Sequence, residues 1–148
     1  MENFKIEHFN RDNPGGQFPR YRSLNPSEAQ VICRNLASML GMEADTELMT
    51  IVLAIDDRAE QLGNTNADDS GFSIIEILHN LGIKHSGDVY VNWYRYDEID
   101  EMALSGLNQY FDYIWYPGSD DIEIFDSTFN WVLAISHDGN IKFIRLPI

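Results

Sequence analysis

Cysteine is almost absent: Cys33 stands alone among 148 residues, so an intrachain disulfide is excluded and a reducing compartment such as the cytoplasm is expected. Long apolar runs are absent too. The most hydrophobic stretches are interrupted by Asp56, Asp57 or Asn130, far short of the ~18 apolar residues a membrane span needs. The opening Met1–Glu7 carries no basic segment followed by an apolar run, so no secretory leader is expected. Positive charge is the third scarcity. Ten Lys and Arg face 24 Asp and Glu, a formal net charge of -14 that disfavours nucleic acid and anionic membrane surfaces and attracts basic partners.

Templates for several chemistries are missing as well. The chain contains no Gly-rich phosphate loop, no Gly-x-Ser-x-Gly elbow, no His-Glu-x-x-His and no Cys/His metal spacing. His8, His79, His85 and His137 are scattered, and His137 reads as a polar hairpin residue. Cys33, at helical spacing from Leu36 and Leu40, reads as a small buried hydrophobe. No catalytic residue, metal ligand or cofactor site is assigned on these grounds, and an enzyme is not expected.

What is present is a foldable chain. Apolar residues make up 44% and aromatics 12%, which excludes a disordered chain despite the charge, and the length suits one domain spanning 1–148. Residues 1–24, with Asn13-Pro14-Gly15-Gly16 and Pro19, read as an irregular arm holding four of the ten bases: Lys5, Arg11, Arg20 and Arg22. The spacing then predicts a helical part over 25–83. Asn25-Pro26-Ser27-Glu28 opens a helix to about Gly41, Asp45 caps a second through about Leu62, and Ser73-Ile74-Ile75-Glu76 opens a short third that stops at Gly82.

Residues 88–148 change character. Val89–Tyr94 reads as a strand, and Asp97 caps a helix over about Glu98 to Phe111. Strands at 122–125, 131–136 and 141–146 then form a three-stranded antiparallel meander, with Asp138-Gly139 as the tight turn of its last hairpin. The expected class is α+β, with N-terminal helices, a strand, a helix and the meander.

Charge is distributed unevenly. From Tyr96 through Ile141 there is no Lys or Arg, yet there are ten acids: Asp97, Glu98, Asp100, Glu101, Asp112, Asp120, Asp121, Glu123, Asp126 and Asp138. The first four fit a helix N-terminus. On a strand over 122–125, Asp121 and Glu123 share a face about 7 Å apart, opposite Ile122 and Ile124, and with Asp120 make an acidic edge. Eleven aromatics crowd residues 93–131, and Tyr113, Trp115 and Tyr116 fall in a turn segment where partial exposure is expected. Aromatic anchors inside a charged rim describe a protein interface. The candidate partner-binding residues are therefore Asp112, Tyr113, Trp115, Tyr116, Asp120, Asp121, Glu123 and Asp126. Two alternatives remain open: a nucleic-acid mimic that blocks a DNA- or RNA-binding protein, and a metal-dependent hydrolase using the Asp120–Asp126 carboxylates.

The stretch from Tyr110 to Leu146, with Trp-Tyr-Pro-x-Ser-Asp-Asp and a Trp…His-Asp-Gly hairpin, resembles the ending of small acidic bacterial immunity proteins of toxin–immunity systems. The resemblance implies a cytoplasmic antidote that occludes a basic toxin domain, one acting on nucleic acid for example, with no nucleic acid or membrane partner of its own.

Overall fold

A computed structural model describes residues 1–84, 87–94 and 96–147. Its element order is α1 (Asn3–Asp12), β1 (Tyr21–Ser23), α2 (Pro26–Met39), α3 (Leu48–Arg58), β2 (Glu60–Gln61), α4 (Ile74–Asn80), β3 (Asp88–Asn92), β4 (Ile99–Ala103), α5 (Leu104–Gln109), α6 (Phe111–Ile114), β5 (Ile122–Phe125), β6 (Trp131–Ile135) and β7 (Ile141–Arg145). The α+β class is as expected. The strand layout is not, because the meander β5-β6-β7 is the middle of one antiparallel sheet ordered β1-β4-β3-β5-β6-β7-β2.

Local signals explain the elements that match. The Asn25 side chain accepts from the Glu28 amide at 2.9 Å while Glu28 reaches back to the Asn25 amide at 3.2 Å, closing a capping box with Pro26 at the first helical position. The Ser73 hydroxyl likewise accepts from the Glu76 amide at the start of α4. At the β6–β7 turn Gly139 has a φ of 84°, in the left-handed region that glycine adopts at little steric cost.

Three expectations are corrected. Residues 1–24 are not an irregular arm: α1 buries Lys5 and Phe9, and β1 joins the sheet edge beside β4. Residues 98–111 do not form one helix. Ile99–Ala103 is a strand paired along its length with β3, α5 begins only at Leu104 and Phe111 already belongs to α6, so Asp97, Glu98, Asp100 and Glu101 do not stand in the first turn of a helix. The second helix begins at Leu48 and ends at Arg58, after which Glu60–Gln61 pairs with β7.

Alternation along the strands divides the core in two. Val89, Val91, Met102, Ile122, Ile124, Leu133, Ile135 and Ile141 pack with α4, α5 and α6, while Ile99, Phe125, Val132 and Ile144 pack with α2 and α3 on the opposite face. Cys33 is buried in this second layer, as expected, and burial pushes its thiol up to about 11, so it is an inert filler. Among the described residues no helix is long and apolar enough to cross a membrane.

Two of the four basic residues of the N-terminal segment, Lys5 and Arg22, are engaged internally. Lys5 is fully buried, donating from Nζ to Asp120 Oδ2 at 2.6 Å and to the Ile114 carbonyl at 2.7 Å, with the Trp93 ring centroid 4.1 Å away. Arg22 bridges Glu28 and Glu101, and Asp100 takes the Met1 amino group, Ser23 and the Trp93 indole.

Two stability measurements follow from these contacts. Lys5→Met, which leaves Asp120 buried without its cation, is expected to lower unfolding free energy by about 3–5 kcal/mol, whereas Arg11→Met at the exposed Arg11–Asp12 pair leaves it nearly unchanged. Equal losses in chemical denaturation would contradict the assignment. Gly139→Ala combines a positive φ with a new Cβ driven into the Asn66 side chain, and a loss of at least ~1 kcal/mol is expected.

Candidate functional site

β5 is the middle strand of the seven, and all four of its residues are buried. Asp121 and Glu123 do share a face, opposite Ile122 and Ile124, but helices cover that face. An acidic edge open to solvent is therefore not what forms.

Four of the eight candidate residues turn inward: Trp115, Asp120, Glu123 and Asp126. The Trp115 indole stacks on Phe111 and donates to the Asp120 carbonyl at 2.8 Å, contrary to its expected exposure. Asp120 is the partner of Lys5. Asp126 accepts from the Thr128 amide at 2.9 Å and from the Trp131 indole at 3.0 Å, which shapes the β5–β6 turn. Tyr113 and Tyr116 are half-buried against α1: Phe9 meets the Tyr113 ring edge-on, and His8 Nδ1 lies 3.0 Å from the Tyr116 hydroxyl. Asp112 is exposed. These side chains do not converge. Among the described residues no three His, Cys, Asp or Glu side chains are placed to hold a metal ion.

Asp121 and Glu123 do meet at one place. Cross-strand register aligns Asn92, Glu123, Ala134, Lys142 and Gln61 in a row across β3, β5, β6, β7 and β2. Ala134 is the short member between two long ones. A cavity of about 220 Å³ opens there, walled by Tyr94, Asp121, Glu123, Ser136, His137 and Lys142, with Asp56 of α3 at its rim. Lys142 does not reach across to Glu123. Its ammonium donates to Asp56 Oδ1 at 2.7 Å and to the Asp56 carbonyl at 3.0 Å.

Glu123 is 2% exposed. Its Oε2 accepts from Asn92 Nδ2 at 3.0 Å, and Asn92 Oδ1 in turn accepts the Tyr96 amide at 2.7 Å. The Tyr96 hydroxyl sits beside the carboxylate and favours its charged form, but lies outside hydrogen-bond geometry. Among the described residues it is the one buried side-chain polar atom without a partner. Burial dominates: loss of hydration pushes the Glu123 carboxyl up to about 7, against the opposing influence of Tyr96 and Asn92, with Asp56 adding repulsion. Tyr94 and Tyr96 both adopt left-handed backbone, φ 69° and 58°, in the β3–β4 connection. Such conformations are costly outside glycine. At the mouth, His137 Nδ1 lies 3.0 Å from Asp121 Oδ1, and the carboxylate raises the imidazole from its ordinary value.

Asp56, Tyr94, Ala134 and Lys142 were beyond sequence reasoning, because register and helix packing bring them to Glu123. Comparison with known proteins finds no matching family model, no matching curated protein and no matching solved structure. The likeness of residues 110–146 to immunity proteins thus rests on those residues alone.

Because Glu123 titrates near 7 when folded and near 4.5 when unfolded, the folded state holds the extra proton between those values. Stability must therefore fall as pH rises from about 4.5 to about 7, by up to ~3 kcal/mol for this group. Glu123→Gln keeps the shape of the protonated side chain and removes the titration. It is expected to be more stable than wild type at pH 8 and to flatten this part of the profile in denaturant titrations; parallel profiles would contradict the assignment.

Proposed function

We propose that the chain is a cytoplasmic protein-binding inhibitor, an immunity-like antidote that covers a basic domain of its target. What carries the reading is the outer face of α3. Met49 and Leu53 are 47% and 56% exposed, and Leu48 is 37% exposed. Met49, Leu53 and Asp56 stand at positions i, i+4 and i+7, on one stripe of the helix. Between residues 43 and 60 the sequence places six acids, Glu43, Asp45, Glu47, Asp56, Asp57 and Glu60, against the single base Arg58. All six are exposed.

Exposed apolar anchors within a carboxylate rim suit a partner that brings its own positive charge. The rim speeds encounter and the anchors slow release. On this reading the contact surface is the α3 side, next to the cavity, in place of residues 97–126 as a whole. Asp121 and Glu123 remain part of it through the cavity wall, and the exposed Asp112 lies outside it. The solitary buried thiol fits a reducing compartment.

The test uses a basic protein retained from the host's own lysate and identified by mass spectrometry, then purified. Charge reversal by Glu43→Lys, Glu47→Lys and Asp57→Lys together is expected to lower the association rate at least tenfold at low salt and to flatten its salt dependence. Met49→Ala with Leu53→Ala is expected to act on dissociation instead. Association unaffected by the triple reversal would overturn the proposal.

A further inference from the structure

The cavity beside Ala134 has a feature that packing alone does not require. The fold buries a carboxylate at its wall while directing Lys142, the one lysine lining the cavity among the described residues, away to Asp56. A buried carboxylate without a cation is costly, and an apolar side chain in its place would pack better. Asn92 occupies one carboxylate oxygen. Among the described residues this is the one hydrogen bond to Glu123 within standard geometry, and the unpartnered Tyr96 hydroxyl lies beside the same carboxylate. The rim repeats the sign, since Asp56, Asp121 and Asp138 surround the opening against Lys142 and His137.

The contents that fit can be narrowed by chemistry. Four carboxylates disfavour an anion. At about 220 Å³ the space is smaller than the roughly 300–1,000 Å³ of ordinary small-molecule sites, and suits one extended side chain. The Tyr94 ring supplies an aromatic wall, which attracts a flat cation. Glu123 at the wall and Asp121 at the mouth offer acceptors at two depths, which a planar group with several N–H donors satisfies better than a compact ammonium.

We propose that this cavity is a guanidinium-binding site in which an arginine side chain lies against Tyr94 and donates to the Glu123 carboxylate. The identity of the chain bearing that arginine rests on the protein-partner reading above; the site itself does not. The bound cation replaces the missing counter-charge, so Glu123 is held ionised and any proton it carried is released to solvent.

The experiment needs no partner. N-acetyl-arginine methylamide is titrated into the folded chain and followed by amide chemical shifts. The norleucine analogue serves as the uncharged control. Saturable shifts at Glu123, Ala134 and Lys142 are expected, with a dissociation constant in the millimolar range. Glu123→Gln is expected to weaken binding at least tenfold, and Ala134→Leu, which fills the space and leaves every charge in place, to do the same. Should Ala134→Leu fail to fold, Glu123→Gln decides the matter alone, because its amide copies the protonated carboxyl.

Among the described residues the groups facing Glu123 are Asn92 and Tyr96 from the β3 side, Cys33 from α2, Asp56 from α3 and, around the cavity, Tyr94, Asp121, His137, Asp138 and Lys142. Asp121 raises His137 from its ordinary value, so His137 also changes charge with pH. The pH arm is therefore read as a difference: between pH 6 and 8 the wild-type affinity rises about tenfold more than that of Glu123→Gln. Absence of saturable shifts up to roughly 50 mM probe, equal binding by Glu123→Gln, or equal binding of the norleucine analogue would overturn the inference. Those results leave the α3 charge-reversal experiment untouched, and failure of that experiment leaves the guanidinium site standing.

Discussion

The buried ammonium of Lys5 is the contact on which the arrangement of the N-terminal half depends. A lysine cannot be taken out of water without a full set of acceptors. Asp120 and the Ile114 carbonyl supply them, and the Trp93 ring lies over the same nitrogen. That set draws on the end of α6, the loop before β5 and the end of β3, so α1 can dock only where all three are in place. Asp120 also accepts the Tyr116 amide at 2.8 Å, so one carboxylate orders the turn that enters the central strand. Acids that look like surplus charge in the sequence are in part the counter-charges of an internal framework.

A second constraint lies across the sheet. On the face under α2 and α3 most positions are apolar, yet the row through Asn92, Glu123, Ala134 and Lys142 is polar with one gap. Lys142 reaches Asp56 on α3, which ties that helix to β7. Glu123 is tied through Asn92 to the strained β3–β4 connection. The gap at Ala134 separates these two polar groups and keeps them from neutralising each other. The cavity exists because a methyl group stands where a larger side chain would join the two halves of the row.

How far the sequence revealed this depends on whether the deciding forces were local. α2 was legible because Asn25, Pro26 and Glu28 each act within one helical turn, and the last hairpin because Asp138-Gly139 determines its own backbone. α1 was not, since one of its two buried positions is Lys5, and a charged residue breaks the apolar period by which a helix is recognised. Ile99–Ala103 reads as a helix start, with acids ahead of alternating apolar residues. It becomes a strand because β3 and β1 flank it and because Asp100 and Glu101 find the Met1 amino group, Ser23, Trp93 and Arg22 there. The pairing of Asp121 with Glu123 on one face was readable from a period of two. That the face is roofed by helices, with Ala134 and Lys142 alongside, depends on register between segments distant in the chain, which no local pattern carries.

The two outermost strands are the shortest: β1 spans three residues and β2 only two. Each covers the middle of a longer neighbour, β4 or β7, and leaves little ladder of its own to extend. Long bare edges invite other chains to continue the sheet, whether as aggregates or as peptides added strand by strand. Here that route is narrowed at both sides, even though the interior strands are rich in isoleucine, valine and aromatics. On the reading proposed above, recognition therefore falls to side chains, by charge, shape and the depth of a cavity, because among the described residues little bare ladder is left on which an unrelated extended segment could settle.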